Sequence, residues 1–164
     1  MVVDAVAEIA REWRERRPDL DASPLLVVGR IQRLWAVWDT ALRAPFAAAG
    51  LQAGDFDVLA ALRRSGGPTT PGALARATLV TAGATTKRID RLVAAGLVAR
   101  WESARDGRQR LVAITPTGID LADHLIELHL RNEERLLSVL SQDERTHLAS
   151  LLSRLLVHAD RSDR

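Results

Sequence analysis

The chain has 164 residues, 47% hydrophobic and 27% charged, which suits one compact domain with an extra helix or two and excludes a disordered chain. No apolar run approaches the roughly 18 residues that span a bilayer. The N-terminus lacks the layout of a secretory leader, so a cytoplasmic location is expected, and the absence of cysteine excludes disulfides, thiolate metal sites and thiol redox chemistry. Net charge is only +2, yet residues 76–110 hold eight basic groups against three acidic ones, while the remainder holds 15 against 18. This is either ordinary solvated surface or a cationic module suited to a polyanion.

In chain order, residues 4–17 read as a helix with Val6, Ile9 and Trp13 on one face, stopped by Pro18. Ser23-Pro24 opens a long second helix to about Ala49, with Gly50 as its left-handed stop and Pro45 expected to kink or interrupt its last turn. A third helix spans 53–64 and ends at Ser65-Gly66-Gly67-Pro68. Thr70-Pro71 starts a short fourth helix ending near Arg76 or Ala77, and Thr81 caps a fifth from Ala82 to Ala95, ended by Gly96. The period then changes. Residues 97–102 and 111–114 read as strands around a polar tip containing Asp106-Gly107. Thr115-Pro116 caps a long sixth helix, about 117–139, and Ser141 with Glu144 forms a capping box for a seventh, striped by Leu148, Leu151, Leu152 and Leu155.

Two short helices joined by a tight turn and followed by a hairpin form a winged helix-turn-helix, whose second helix is offered to the major groove. With Ile89 and Leu92 facing the core, 100° per residue puts Gly83, Lys87, Asp90, Arg91 and Ala94 outward. Lys87 and Arg91 then reach guanine edges or phosphates, while Thr81, Thr85 and Thr86 bring hydroxyls to a helix N-terminus that already favours phosphate. At the hairpin, Arg105, Arg108 and Arg110 suit a narrow minor groove, Arg108 foremost, with Asp106 bracing the wing. The alternative for that hairpin is a charged edge kept soluble.

These residues carry a resemblance. The run Asp106-Gly107-Arg108 through Val112, Ile114, Thr115 and Gly118 resembles the D-x-R…V-x-L-T-x-x-G wing signature of the MarR family of regulators. Arg88-Ile89-Asp90-Arg91-Leu92 through Gly96-Leu97-Val98 resembles that family's recognition helix and its exit. With Leu51 to Val58 included, the likeness covers roughly residues 30–155. It implies a mainly α (α+β) fold, a homodimer built by N- and C-terminal helices, and binding to a pseudo-palindrome in double-stranded DNA, most often as a repressor. The expected division is 1–50 for N-terminal dimerisation helices and a pocket wall, 51–115 for the winged DNA-binding domain and 116–164 for C-terminal dimerisation helices. Leucine-rich terminal helices independently suit a partner surface, although the leucines also suit packing within one chain.

An extra N-terminal helix bearing Trp13, then Gly54 to Leu59, then Arg88-Ile89, is similar to the urate-responsive, PecS-like branch of the family. That branch implies a ligand site of Trp13, Asp57, Ser65 and Arg88 for a small anionic effector such as urate, with no cofactor and no metal. Two departures stand out: Lys87 where the branch often has Asn, and Ser65 where Asn is common. From the residues themselves, Arg88 lies on the flank of its helix and needs an anionic partner, either Asp57 or a bound anion. Trp13 suits either stacking on a flat ring or anchoring a core, and periodicity alone puts Asp57 in solvent. Urate, another purine, a polycarboxylate such as trans-aconitate and a phenolic acid all fit this description.

An enzyme is not expected. His124, His129, His147 and His158 form no metal-spaced pair with a flanking carboxylate, and neither a phosphate loop nor a nucleophile elbow is present. The alternative of another class is a helical dimer that serves only protein interaction, and the wing arginines with Lys87 and Arg91 argue against it.

Overall fold

A computed structural model of the chain describes residues 4–78, 81–103 and 109–162. Its order is α1 (Ala5–Arg16), α2 (Leu25–Ala48), α3 (Asp55–Ser65), α4 (Pro71–Ala77), α5 (Ala82–Ala94), β1 (Val98–Glu102), β2 (Arg110–Ile114), α6 (Pro116–Leu136) and α7 (Gln142–Ser162). The fold is thus mainly α with one two-stranded antiparallel sheet. Among the described residues no helix is long and apolar enough to cross a membrane. Contacts divide the chain into two compact units, Met1–Ala44 and Pro45–Arg164. The division between the two units falls inside α2.

In the N-terminal unit Asp4 does two jobs. Its Oδ1 accepts the Val6 and Ala7 N–H groups at the start of α1, both at 3.0 Å, and its Oδ2 accepts Arg30 Nη2 of α2 at 2.9 Å. One carboxylate thereby caps one helix and ties it to the next. Trp13, Leu20, Ala22, Pro24, Leu25 and Val28 line a cavity of about 550 Å³ in this unit. Pro45 lies within α2, which continues to Ala48 rather than stopping at it.

In the second unit the core gathers one face each of α3, α4, α5 and the sheet, together with Ala122 of α6. Val58, Leu59 and Leu62 of α3, Leu74 of α4, Ile89 and Leu92 of α5, and Val98 and Val112 of the sheet are all buried. Each such aliphatic stabilises the fold by about 1.5–3 kcal/mol. The ladder pairs Val98 with Ile114 and Glu102 with Arg110. On the far side of β2, Thr69 exchanges both backbone hydrogen bonds with Val112, each 2.9 Å, a pairing that fastens the α3–α4 connection to the hairpin. Thr115 caps α6 by accepting the Gly118 N–H at 3.1 Å. Gly118 is required for a different reason: a methyl group there would overlap the Leu97 carbonyl oxygen, a backbone atom that cannot swing away.

The capping box forms as the pattern predicts. The Ser141 N–H donates to Glu144 Oε2 at 2.8 Å, and the Glu144 N–H returns a bond to Ser141 Oγ at 3.4 Å. The Ser141 backbone N–H, with the Ser141 hydroxyl, holds the Glu144 carboxyl below its usual range. A depressed folded pKa stabilises above the unfolded value and stops doing so as pH falls through the folded one. The Ser141 amide proton is therefore expected to titrate by NMR with a midpoint below the ordinary glutamate value of about 4.3, and to lose that titration in Glu144→Gln. Along α7, Leu148, Leu151, Leu152, Leu155 and Leu156 are all exposed.

Candidate functional site

Local rules place α5 where the sequence predicts it. Thr70 caps α4 by accepting the Ala73 N–H at 3.2 Å, and Thr81 caps α5 by accepting the Ala84 N–H at 3.4 Å. Thr85, Ile89 and Leu92 form the buried stripe of α5, and Lys87 stands exposed on the outer face. Thr81 and Thr86 are also exposed. Thr85 is a correction to the phosphate-facing set: it is fully buried, and its hydroxyl donates to the Thr81 carbonyl at 3.0 Å. Its spacing of four and seven from Ile89 and Leu92 puts it in their stripe, and bonding one turn back satisfies its hydroxyl away from water.

Arg91 is the second correction. It does not present its guanidinium outward but folds back onto the start of α3, where Nη2 donates to Asp55 Oδ1 at 2.5 Å and Nε to Asp55 Oδ2 at 3.3 Å. The Asp55 side chain is 4% exposed and that of Arg91 34%. Asp55 Oδ2 also accepts the Gln52 N–H at 3.0 Å. A carboxylate so far from water needs a cation, and Arg91 on the flank of α5 has the reach to supply one. Hydrogen bonding to Asp55 pushes the Arg91 guanidinium, already always charged, still higher in pKa. On the opposite flank Arg100 Nη1 of β1 donates to Asp90 Oδ1 at 2.6 Å.

Arg88 behaves differently from its neighbour. Its side chain is 18% exposed, and its nearest carboxylate is the outward-facing Asp57, with Nη1 3.9 Å from Oδ2. That buried Nη1 has no hydrogen-bond partner among the described residues. The guanidinium lies flat on Gly54, the left-handed (φ 80°) N-cap of α3, where any Cβ would overlap its carbon and both terminal nitrogens. Asp57 and Arg88 are thus near each other but only loosely paired.

Ser65 does not join them. It sits at the other end of α3, eight residues and so about 12 Å along the axis from Asp57, with its hydroxyl on the Leu62 and Gly67 carbonyls at 2.8 Å each. Trp13 is half exposed and lines the cavity of the N-terminal unit. Arg110 is exposed at the start of β2, whereas Arg105, Asp106 and Arg108 lie outside the described residues. Asp55, Gly54 and Arg100 are the site residues that sequence reasoning missed. Asp55 reads as an ordinary acid in a helix's first turn, and its partner is 36 residues away.

Comparison with known proteins places the fold in a family. The sequence profile of the MarR family matches residues 49–109. The chain is 38% identical over 155 residues to the HTH-type transcriptional regulator PecS of Dickeya dadantii (strain 3937), covering 93% of each. Among solved structures, a mutant MarR from E. coli complexed with operator DNA aligns with a TM-score of 0.69 at 27% identity, over 88% of this chain and 97% of that one. Bordetella bronchiseptica BpsR, described with regulation of its DNA binding by 6-hydroxynicotinic acid, aligns with a TM-score of 0.69 at 25% identity, over 79% and 91%.

Proposed function

Because this chain belongs to the MarR family of transcriptional regulators, we propose that it acts in the cytoplasm as a homodimeric repressor, bound to a pseudo-palindromic operator and released by a small anionic effector such as urate. The observation that carries the DNA-binding part is the outer face of α5. Lys87 projects into solvent there beside the small Gly83 and Ala94, on a helix that follows α4 and precedes the paired β1 and β2. Small residues let a backbone approach the duplex, and an exposed cation meets phosphate or a guanine edge. Arg105, Arg108 and Arg110 extend the same contact into the neighbouring minor groove.

Two further features support the rest. The exposed leucines of α7 form the kind of continuous apolar stripe that a twofold-related copy of the same helix would cover. Arg88 supports an anionic effector: it is mostly buried, its Nη1 has no hydrogen-bond partner among the described residues, and it rests at the N-terminus of α3. The positive end of a helix dipole adds to the guanidinium's own attraction for an anion. A planar anion fits best, since a flat guanidinium pairs with it edge to edge. Asp57 competes for the same cation and would be displaced, which moves the helix that carries Arg88.

Binding of the wild-type protein to duplexes selected from a random pool tests the DNA-binding part. Log affinity is expected to fall linearly with log salt, as counterions leave the phosphates, with a slope of about 0.9 per phosphate neutralised. Lys87→Gln is expected either to lower that slope by about one per protomer or to relax preference at one base pair. An unchanged slope and an unchanged preference would remove Lys87 from the interface.

A further inference from the structure

We propose that the Asp90–Arg100 pair is a brace that presets the spacing between the recognition helix and the wing, so that Asp90, although negatively charged, raises affinity for DNA. The proposal rests on the reading that α5 and the hairpin engage one duplex. Asp90 is the one carboxylate in α5, whose sequence is AGATTKRIDRLVA. A lone acid on a helix offered to a polyanion is unfavourable unless something answers it, and Arg100 does, at 2.6 Å.

The pair does little for stability by itself. Its side chains are 31% and 52% exposed, and such pairs contribute about 0–1 kcal/mol. Its placement is more informative. Asp90 and Arg91 are consecutive, so they leave the helix about 100° apart, on either side of the outer face that holds Lys87. Arg91 ties one flank to α3 through Asp55, and Asp90 ties the other to β1. Arg100 is fixed in its turn, because it sits opposite Val112 in the ladder, on the sheet face that buries Val98 and Val112. The hairpin tip begins three residues further on. A helix in one groove and a tip in the next are two linked contacts with a single duplex, and affinity rises with how well the link presets their separation. Both residues are positioning residues in this scheme, and neither has to touch a base or a phosphate.

The sign of one substitution separates this proposal from simple electrostatics. Duplex affinity is measured, on a DNA selected by the wild-type protein from a random pool, for Asp90→Asn, Arg100→Gln, the double variant and Asp90→Glu. If Asp90 is only a repulsive charge, Asp90→Asn binds more tightly. The brace requires the opposite: each single variant weakens binding by about five- to twentyfold, and the double variant is no weaker than the worse single one. The salt slope stays at the wild-type value, because no phosphate contact is lost, and Asp90→Glu, which retains the pair, recovers most of the affinity. Tighter or equal binding by Asp90→Asn would overturn the proposal. So would additive single effects, or a slope reduced by about 0.9 in Arg100→Gln, which would make Arg100 a phosphate contact. If the wild-type protein bound no duplex at any salt, the regulator reading itself would fail and the brace with it.

Discussion

Replacing Arg91 with alanine is expected to destabilise the fold by about 2–4 kcal/mol, below the full range for a broken buried pair because Arg91 is itself one-third exposed. The cost comes from what remains. Asp55 would keep its carboxylate 4% exposed, with the Gln52 N–H as its remaining partner among the described hydrogen bonds. Asp55→Asn is expected to cost less, about 1 kcal/mol, because the freed guanidinium can turn to water while the amide oxygen still accepts the Gln52 N–H. The order of the two effects, Arg91 larger than Asp55, is the informative result. Chemical denaturation of both variants at one fixed protein concentration measures it. An Arg91→Ala protein as stable as wild type but altered at one operator base pair would return Arg91 to the groove.

Substituting Gly54 is expected to separate effector response from DNA binding. Gly54→Ala meets two obstacles of unequal size. The left-handed φ of 80° costs an L-residue about 1–2 kcal/mol, a tolerable loss for a folded domain. The new methyl would also overlap the Arg88 guanidinium, but that is the far end of a flexible side chain and can move aside. The protein therefore folds, with a modestly lowered Tm, while Arg88 leaves the cradle proposed to receive the anion. Losing a charge-assisted hydrogen bond of about 1.5–3 kcal/mol corresponds to roughly a 10- to 150-fold weaker effector. Release of bound duplex by urate, titrated in parallel for wild type and Gly54→Ala, is the measurement. Release of the variant at the wild-type urate concentration would show that Arg88 takes no part in the response.

Much of this architecture is legible in the sequence, because it is written in short-range chemistry. Thr70-Pro71 and Thr81 set the starts of α4 and α5 to the residue, since a hydroxyl within three positions of orphan N–H groups has few other uses. The change from helical to alternating spacing after Gly96 located the hairpin, and Ser141 with Glu144 located α7. Even Thr85 was readable in principle, since it falls in register with Ile89 and Leu92. Its hydroxyl drew it to the phosphate-binding set when its spacing marked it as core.

The misplaced site residues share another cause. Rotation about one helix gives the direction in which a side chain leaves, but a long side chain then goes where the electrostatics are best. Arg91 leaves α5 on a flank and ends on Asp55, while Arg88, one turn earlier, ends on Gly54 with no comparable carboxylate. Rotation puts Arg88 nearer the buried stripe than Arg91, but it does not reveal which carboxylate either one can reach. Likewise Asp57 and Ser65 read as one ligand set, yet a single straight helix holds them about 12 Å apart.

The amino-acid sequence alone determined the kind of molecule: a cysteine-free helical chain with a cationic helix-turn-helix and hairpin between leucine-rich ends. Caps, turns and apolar periodicity act over one to seven residues, so they need no knowledge of the rest of the chain. Only the tertiary structure decided which arginine is locked, which rests on a glycine, and which acid faces β1. Those outcomes depend on carboxylates brought close from 10 to 36 residues away, and on how far burial has already removed the water that would otherwise satisfy each charge.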